Sequence, residues 1–243
     1  SLGPDTTCDF AIGTRVTSWW VLPCGVCEQC MAGHHNRCAR DYRYLGAHEH
    51  GAYAEYVKLP ADHLIALPPN VSYESAAGFP NPFGTAWHML IDRGRLRAGE
   101  TVLVNSASSG VSMAAIQICK LAGAYVYTTS SADWKLEKAK LLNADETINY
   151  NEVDFVDEIM KRTNKRGVDV VVEHVGGDFL DKSIRCLTRG GRLITVGGTK
   201  SYECTIAVNY IFHKELQIIG SNSATKHDLE VMMPLLDSGK LKT

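Results

Sequence analysis

The stretch TVLVNSASSGVSMAAIQICKLAG (101–123) passes from a short β-branched run, through a turn of small residues, into an apolar helical segment. That order aims the first amides of a helix past the end of a strand, where they can hold a pyrophosphate. The usual dinucleotide turn is Gly-x-Gly-x-x-Gly. Here only Gly110 remains, and Ser106, Ser109 and Ser112 stand where small residues are needed. Ser112 departs most, because the last glycine normally lets the helix settle closely on the sheet. Ser109, Gly110, Val111 and Ser112 are the candidate phosphate-binding residues.

Outward from this turn the pattern repeats. Strands are expected at 101–105, 124–129, 146–150, 168–175, 191–197 and 216–221, with helices at 110–122, 132–142, 153–163, 178–188 and 225–238. Short continuous strands alternating with helices predict a doubly wound parallel sheet covered on both faces. Asn143 follows LEKAKLL where a left-handed helix cap is expected. Gly167 and the Gly190-Gly191 pair precede strands, and Gly176 and Gly197 follow strand ends. Before residue 75 the chain reads differently. It is rich in Pro, His and Cys, and GAYAEYVKLP (51–60) alternates as a half-buried strand does.

Eight cysteines occur in 243 residues, four of them as Cys24-x2-Cys27-x2-Cys30-x7-Cys38. Such clustering points to a metal rather than a disulfide framework. Four sulfur ligands leave no open position, so the expected ion is a structural zinc. Iron–sulfur sites also use Cys-x2-Cys, but their last cysteine is followed by Pro, and Cys38 is followed by Ala39. His34 and His35 are read as loop residues. Cys119, Cys186 and Cys204 are expected to fill the core of the sheet region.

The end of the second sheet strand bears on coenzyme choice. An NAD site usually has an acid there for the ribose hydroxyls. This strand ends Thr128-Thr129-Ser130-Ser131, and Lys135 follows shortly. Neutral donors with a cation suit a 2′-phosphate, so NADP(H) is expected ahead of NAD(H). Net charge is -2, and the basic run KRTNKRG (161–167) reads as a solvated helix end, so nucleic acid is not expected as a partner. No apolar run approaches the ~18–20 residues of a membrane span, and no signal peptide is visible. A cytoplasmic location is expected.

The run from GTRV (13–16) through the cysteine lobe and GAYAEYV to GETVLVNSASSGV and VDVVVEHVGG resembles the medium-chain dehydrogenase/reductase superfamily. It is similar to the zinc-containing alcohol dehydrogenase and quinone oxidoreductase branches. The resemblance implies a partial GroES-like catalytic domain over 1–78, with the lobe at 24–38, and a Rossmann domain over 79–243. It also implies an internal fragment, without the N-terminal catalytic-domain strands and the C-terminal return, and itself expected to be inactive.

In FPNPFGTAWHML (79–90), Thr85 matches a threonine beside the nicotinamide, and Asn81 takes the place of a catalytic-zinc ligand. Asn is a poor zinc ligand. The resemblance therefore leans toward hydride transfer to or from a small carbonyl, quinone, enone or alcohol. Lys135 and Tyr150 match holders of a 2′-phosphate. Val175 and Gly176 (after His174), Val196-Gly197-Gly198, and Gly220 (after Ile219) would line the coenzyme groove, with Ser130 and Ser131. LQIIGS (216–221) would pair across a two-fold axis in a homodimer or homotetramer. Two alternatives are carried forward. One is a zinc-catalytic NAD(P)-dependent alcohol dehydrogenase; the other is a non-enzymatic coenzyme-binding or structural protein. Outside these sets, His48 and His50 read as an exposed loop, His88 as a core or interface histidine, and Glu173 as a structural carboxylate or an acid/base.

Overall fold

Irregular chain dominates the first third of the computed structural model, which describes residues 2–243. Its strands are β1 (Val16–Ser18), β2 (Val21–Leu22), β3 (Arg43–Tyr44) and β4 (Leu64–Ala66). β1 pairs with β4 and β2 with β3, both antiparallel. A single helical turn, α1 (Glu28–Met31), lies inside the cysteine stretch, and α2 (Tyr73–Gly78) and α3 (Pro80–Trp87) follow. α2 starts where Ser72 Oγ accepts from the Ser75 amide at 3.1 Å, the N-cap that serine supplies well.

The strand expected at 51–60 is not formed. Tyr53 and Tyr56 lie exposed, at 111% and 89%, and among the described residues no strand pairs with this stretch. Alternation marks a face to bury, but a strand exists only beside a ladder partner.

From residue 101 the apolar runs become β5 (Thr101–Val104), β6 (Tyr125–Ser130), β7 (Glu146–Asn149), β8 (Val168–Glu173), β9 (Leu187–Thr195) and β10 (Gln217–Gly220). They form one parallel six-stranded sheet in the order β10-β9-β8-β5-β6-β7. The crossover helices are α4 (Gly110–Leu121), α5 (Asp133–Leu141), α6 (Phe155–Arg162) and α7 (Asp178–Arg185); α8 (Val208–Lys214) precedes β10. The sequence pattern does not suggest α8, which buries no residue. β5 lies between β8 and β6, so consecutive strands run outward from it on both sides. The C-terminal ends of β5 and β8 are therefore the topological switch point, where α/β sheets bind ligands.

Leu103, Ile148, Phe155, Ile159, Val171, Ile184 and Leu193 form the core on one face of the sheet, each at most 1% exposed. Asp154 caps α6 by accepting from the amides of Val156 (2.8 Å) and Asp157 (3.4 Å). Asn143 takes the expected left-handed conformation, with φ +66°.

α7 ends three residues sooner than the apolar pattern suggests, and Leu187 already pairs with Val168. The cause is a close crossing at Gly167. Its φ is +86°, and a Cβ there would meet the Cys186 carbonyl oxygen at 2.5 Å.

The chain divides into two compact units. One runs to Gly84 and takes up Asn222–Thr243 again, and the other is Thr85–Ser221. In the first unit, α9 (Lys226–Asp237) begins with a capping box between Thr225 and Asp228. Cys119 and Cys186 are fully buried, and burial pushes both thiols upward. Cys204 is exposed instead; it lies in the loop before α8, away from the core that would have claimed a small apolar side chain.

The crossing at Gly167 makes a specific demand on the backbone. Gly167→Ala is expected to lower the unfolding free energy by about 1–2 kcal/mol from the left-handed backbone alone. The urea midpoint checks this, and a midpoint equal to that of the wild type would contradict the assigned crossing.

Candidate functional site

Two places gather chemistry, one in each unit. In the first unit, Gly25 (φ +73°) turns the chain back on itself between Cys24 and Cys27. α1 then carries Cys30, and Cys38 returns from the next loop. The Sγ atoms approach at 3.5 Å (Cys27–Cys30), 3.9 Å (Cys27–Cys38) and 4.0 Å (Cys24–Cys30). All four lie within 4.8 Å of one another, and none is in a disulfide. A tetrahedral site with Zn–S bonds of about 2.3 Å has sulfur–sulfur edges of about 3.8 Å, so the donor set fits that ion.

The amides of Cys24 and Cys27 donate to the sulfurs of Cys38 and Cys24, each at 3.3 Å. Amides of Ala39 and then Cys30 pull the Cys27 thiol down to about 6, whereas burial pushes Cys30 up to about 12. A bound divalent cation removes such a spread, because coordinating thiols are deprotonated outright.

His34 and His35 are not among the clustered ligands. His35 instead presents its ring to the buried Trp19 at 5.9 Å. Behind the lobe, Asn36 Nδ2 donates to the Asn222 carbonyl at 2.9 Å, and Asn222 Nδ2 donates back to the Asn36 carbonyl at 3.2 Å. Trp19 Nε1 donates to the Ala224 carbonyl at 2.9 Å. His48 and His50 are exposed.

The second place is the switch point. Ser106 adopts φ +57° at the end of β5, where a glycine would be at ease. The Ala107 amide is fixed by the Thr129 carbonyl at 2.8 Å, and the Ser109 amide by Ser106 at 2.9 Å. Gly110 is exposed and Ser109 and Val111 are half-buried, so this turn is open to a ligand. Ser112 is fully buried, and α4 nevertheless starts directly on the sheet. Its hydroxyl is accommodated: Oγ lies 2.6 Å from the Asn105 carbonyl and 2.8 Å from His174 Nε2.

At the end of β6 the hydroxyls of Thr128, Thr129 and Ser130 are buried, and no carboxylate occurs before Asp133. Asp133 itself accepts from Asn149 Nδ2 at 2.9 Å. The Tyr150 amide donates to the Ser130 carbonyl at 3.0 Å, and Asn151 Nδ2 donates to the Ser131 carbonyl at 2.9 Å. The ends of β6 and β7 are thereby tied together. Lys135 lies in the first turn of α5, its Nζ 5.5 Å from the centre of the Trp134 ring. Sequence reasoning misses Asn151, because an Asn after INY carries no signal without its partner.

Beyond β8, Glu173 is fully buried. Its Oε1 accepts from the amides of Val175 (2.8 Å) and Gly176 (3.1 Å). Burial pushes this carboxyl up, while those amides pull the other way. Val175, Gly176 and Gly177 are buried beneath the loop after β9. Thr199 and Lys200 donate to the carbonyls of His174 and Val175, at 3.1 and 2.7 Å. At Gly176 (φ +74°) a Cβ would run into the Ser201 carbonyl, and at Gly198 it would meet the same atom at 2.7 Å. The need for glycine at these two positions is therefore met within the chain itself. Val196 is half-buried, whereas Gly197 and Gly220 are exposed at strand ends. On α3, Asn81 is exposed and Thr85 is buried. His88 is buried with its Nδ1 3.0 Å from Asp92.

Residues 110–238 match the family of zinc-binding dehydrogenases, and residues 1–69 match the alcohol dehydrogenase GroES-like domain. Among curated relatives, the chain is 32% identical to an acryloyl-coenzyme A reductase of Sulfurisphaera tokodaii, covering 96% of this chain and 68% of that protein. It is 38% identical to part of a phenolphthiocerol/phthiocerol polyketide synthase of Mycobacterium tuberculosis, over 63% of this chain and only 7% of the synthase. Of solved structures, an NAD-dependent alcohol dehydrogenase superposes with a TM-score of 0.91 at 44% identity, covering 96% of this chain and 68% of that one. A zinc-binding dehydrogenase from Sinorhizobium meliloti, bound to NADP, superposes at 0.89 with 27% identity, covering 98% and 69%.

The sulfur geometry predicts about one zinc per chain, measurable by atomic emission after dialysis. Cys27→Ser and Cys38→Ser are each expected to lose the metal and to open the 24–44 segment to protease. Full retention of zinc by both variants would contradict the assignment.

Proposed function

Since the chain belongs to the medium-chain dehydrogenase/reductase superfamily, we propose that it supplies the coenzyme-binding part and zinc lobe of an NADP(H)-dependent oxidoreductase. The reaction is hydride transfer to or from a small carbonyl, quinone, enone or alcohol. One observation carries the coenzyme choice. Where an acid for the ribose hydroxyls would stand at the end of β6, the chain has Ser130 and Ser131, with Lys135 in the following turn and Tyr150 at the adjoining strand end.

In this reading the amides of Ser109–Ser112 orient the pyrophosphate, as helix N-terminal amides do for anions. Ser131, Lys135 and Tyr150 hold the 2′-phosphate, and a cation makes that contact a charge-assisted one. Val175, Val196 and Gly197 form the floor at the strand ends. Asn81 and Thr85 on α3 are proposed to lie by the nicotinamide. When bound, the coenzyme supplies or accepts the hydride, and the protein's part is to hold and orient it. Cys24, Cys27, Cys30 and Cys38 would hold a zinc of structural type, closed to substrate.

A conjugated acceptor is favoured, because the acryloyl-coenzyme A reductase relative is named for one and Asn81 is a poor catalytic-zinc ligand. The 44% identical structure favours a second reading, a zinc-catalytic alcohol dehydrogenase using NAD. Metal content separates the two, since the second requires another zinc beyond the four-cysteine site.

Fluorescence titration with NADPH and NADH tests the proposal. NADPH should bind at least about tenfold tighter, and Lys135→Ala should weaken NADPH about tenfold (about 1.4 kcal/mol) while leaving NADH unchanged. Binding of neither coenzyme would overturn the reading, and a preference for NADH would move it to the second one.

A further inference from the structure

Beneath the β5–α4 turn lies a set of polar side chains that no ligand reading requires. Asn105, Ser112, Thr129 and Ser183 are fully buried and His174 is 7% exposed. Five elements converge on them: Asn105 follows β5, Ser112 lies in the first turn of α4, Thr129 lies in β6, His174 follows β8 and Ser183 lies in α7.

The proton directions can be assigned. The Asn105 carbonyl can only accept, so the Ser112 hydroxyl donates to it at 2.6 Å. That hydroxyl has one proton, so the 2.8 Å contact must be His174 Nε2–H donating to Ser112 Oγ. The Asn105 side chain is pinned from two sides. Its Nδ2 donates to Ser183 Oγ at 2.8 Å, and its Oδ1 accepts from Thr129 Oγ1 at 3.2 Å. The chain His174 → Ser112 → Asn105 thus ties the first turn of α4 to the carbonyl just before Ser106, the residue held at φ +57°.

We propose that Ser112 and His174 form a hydrogen-bonded latch that holds the β5–α4 turn in its anion-binding shape, a task performed elsewhere by close glycine packing. They are positioning residues, and the proposal rests on the coenzyme reading above. A fully satisfied buried network rigidifies its surroundings, and a turn already in its bound shape loses less on binding. Burial holds His174 below the usual imidazole range, with the backbone carbonyls of His174 and Asn105 pulling the other way; in the neutral ring the donor role requires the Nε2–H tautomer.

The test compares NADPH titrations of the wild type, Ser112→Ala, His174→Leu and His174→Gln. The glutamine amide can replace the Nε2 donor; leucine cannot. Ser112→Ala and His174→Leu should each weaken NADPH at least fivefold, the double variant no more than either single, and His174→Gln should recover to within twofold. Long-range 15N–1H spectra of the wild type should show His174 as the Nε2–H tautomer, and amides 110–113 should exchange faster in the two weakened variants. A wild type that binds NADPH while both single variants bind within twofold of it overturns the latch alone. A wild type that binds neither coenzyme overturns the coenzyme reading and the latch together. If the variants do not fold, the wild-type spectrum decides, and the Nδ1–H tautomer overturns the proposal.

Discussion

Parallel strands cannot be joined by tight turns, so each must be left by a crossover. In this sheet that constraint meets a reversal. The path β5–β6–β7 runs outward on one side, and β8–β9–β10 on the other. Crossovers of one hand then leave β5 and β8 in opposite directions, and neither crossover passes between their C-terminal ends. The small-residue turn, the buried Asn105–Ser112–His174 set and the Glu173 carboxylate all collect there. Polar groups buried this deeply destabilise a fold unless each donor is met. The strand order creates the gap, and the hydrogen bonds give it fixed walls.

The cysteine lobe meets a different constraint. α1 is one turn long, and a helix of that length has no stability of its own. The apolar side chains of the lobe do not help, since Val26 before α1 and Met31 within it are 65% and 76% exposed. What converges instead is sulfur, with reciprocal amide hydrogen bonds between Asn36 and Asn222 behind it. On the zinc reading, metal–sulfur bonds take the role that a hydrophobic core has elsewhere, so that metal binding and folding of this segment become one event.

The sheet was legible because its signals are local. Runs such as TVLV and VDVVVE are too short and too β-branched for anything else, and Asn143 announces its own helix end. The failures share a cause, which is dependence on a distant partner. The stretch 51–60 has the alternation of a strand but no ladder beside it. The early end of α7 is imposed by Gly167, well before it in the chain. α8 has no buried face to advertise. The convergence of the four cysteines was legible because it is written in their spacing. The polar set under the β5–α4 turn was not, because Ser112 and His174 are far apart in the chain and neither has a meaning without the other.

Lys135 illustrates how a residue can be out of place for its helix. Cations favour the last turn of a helix, and Lys138 and Lys140 of α5 obey that rule. Lys135 lies in the first turn, where the helix dipole is unfavourable to it by about 0.3–1 kcal/mol. Asp133 in the same turn keeps its negative charge and offsets part of this, although its Oδ1 accepts from Asn149 Nδ2 at 2.9 Å. The Trp134 ring gives Lys135 a polarisable neighbour, but not a negative charge. An anion placed beyond the end of β6 would be attracted at once by the helix terminus and by Lys135, and would turn an unfavourable pair into a cooperative one. On the proposed reading, a coenzyme carrying a 2′-phosphate would bring such a charge to that point, and one with a free ribose diol would not.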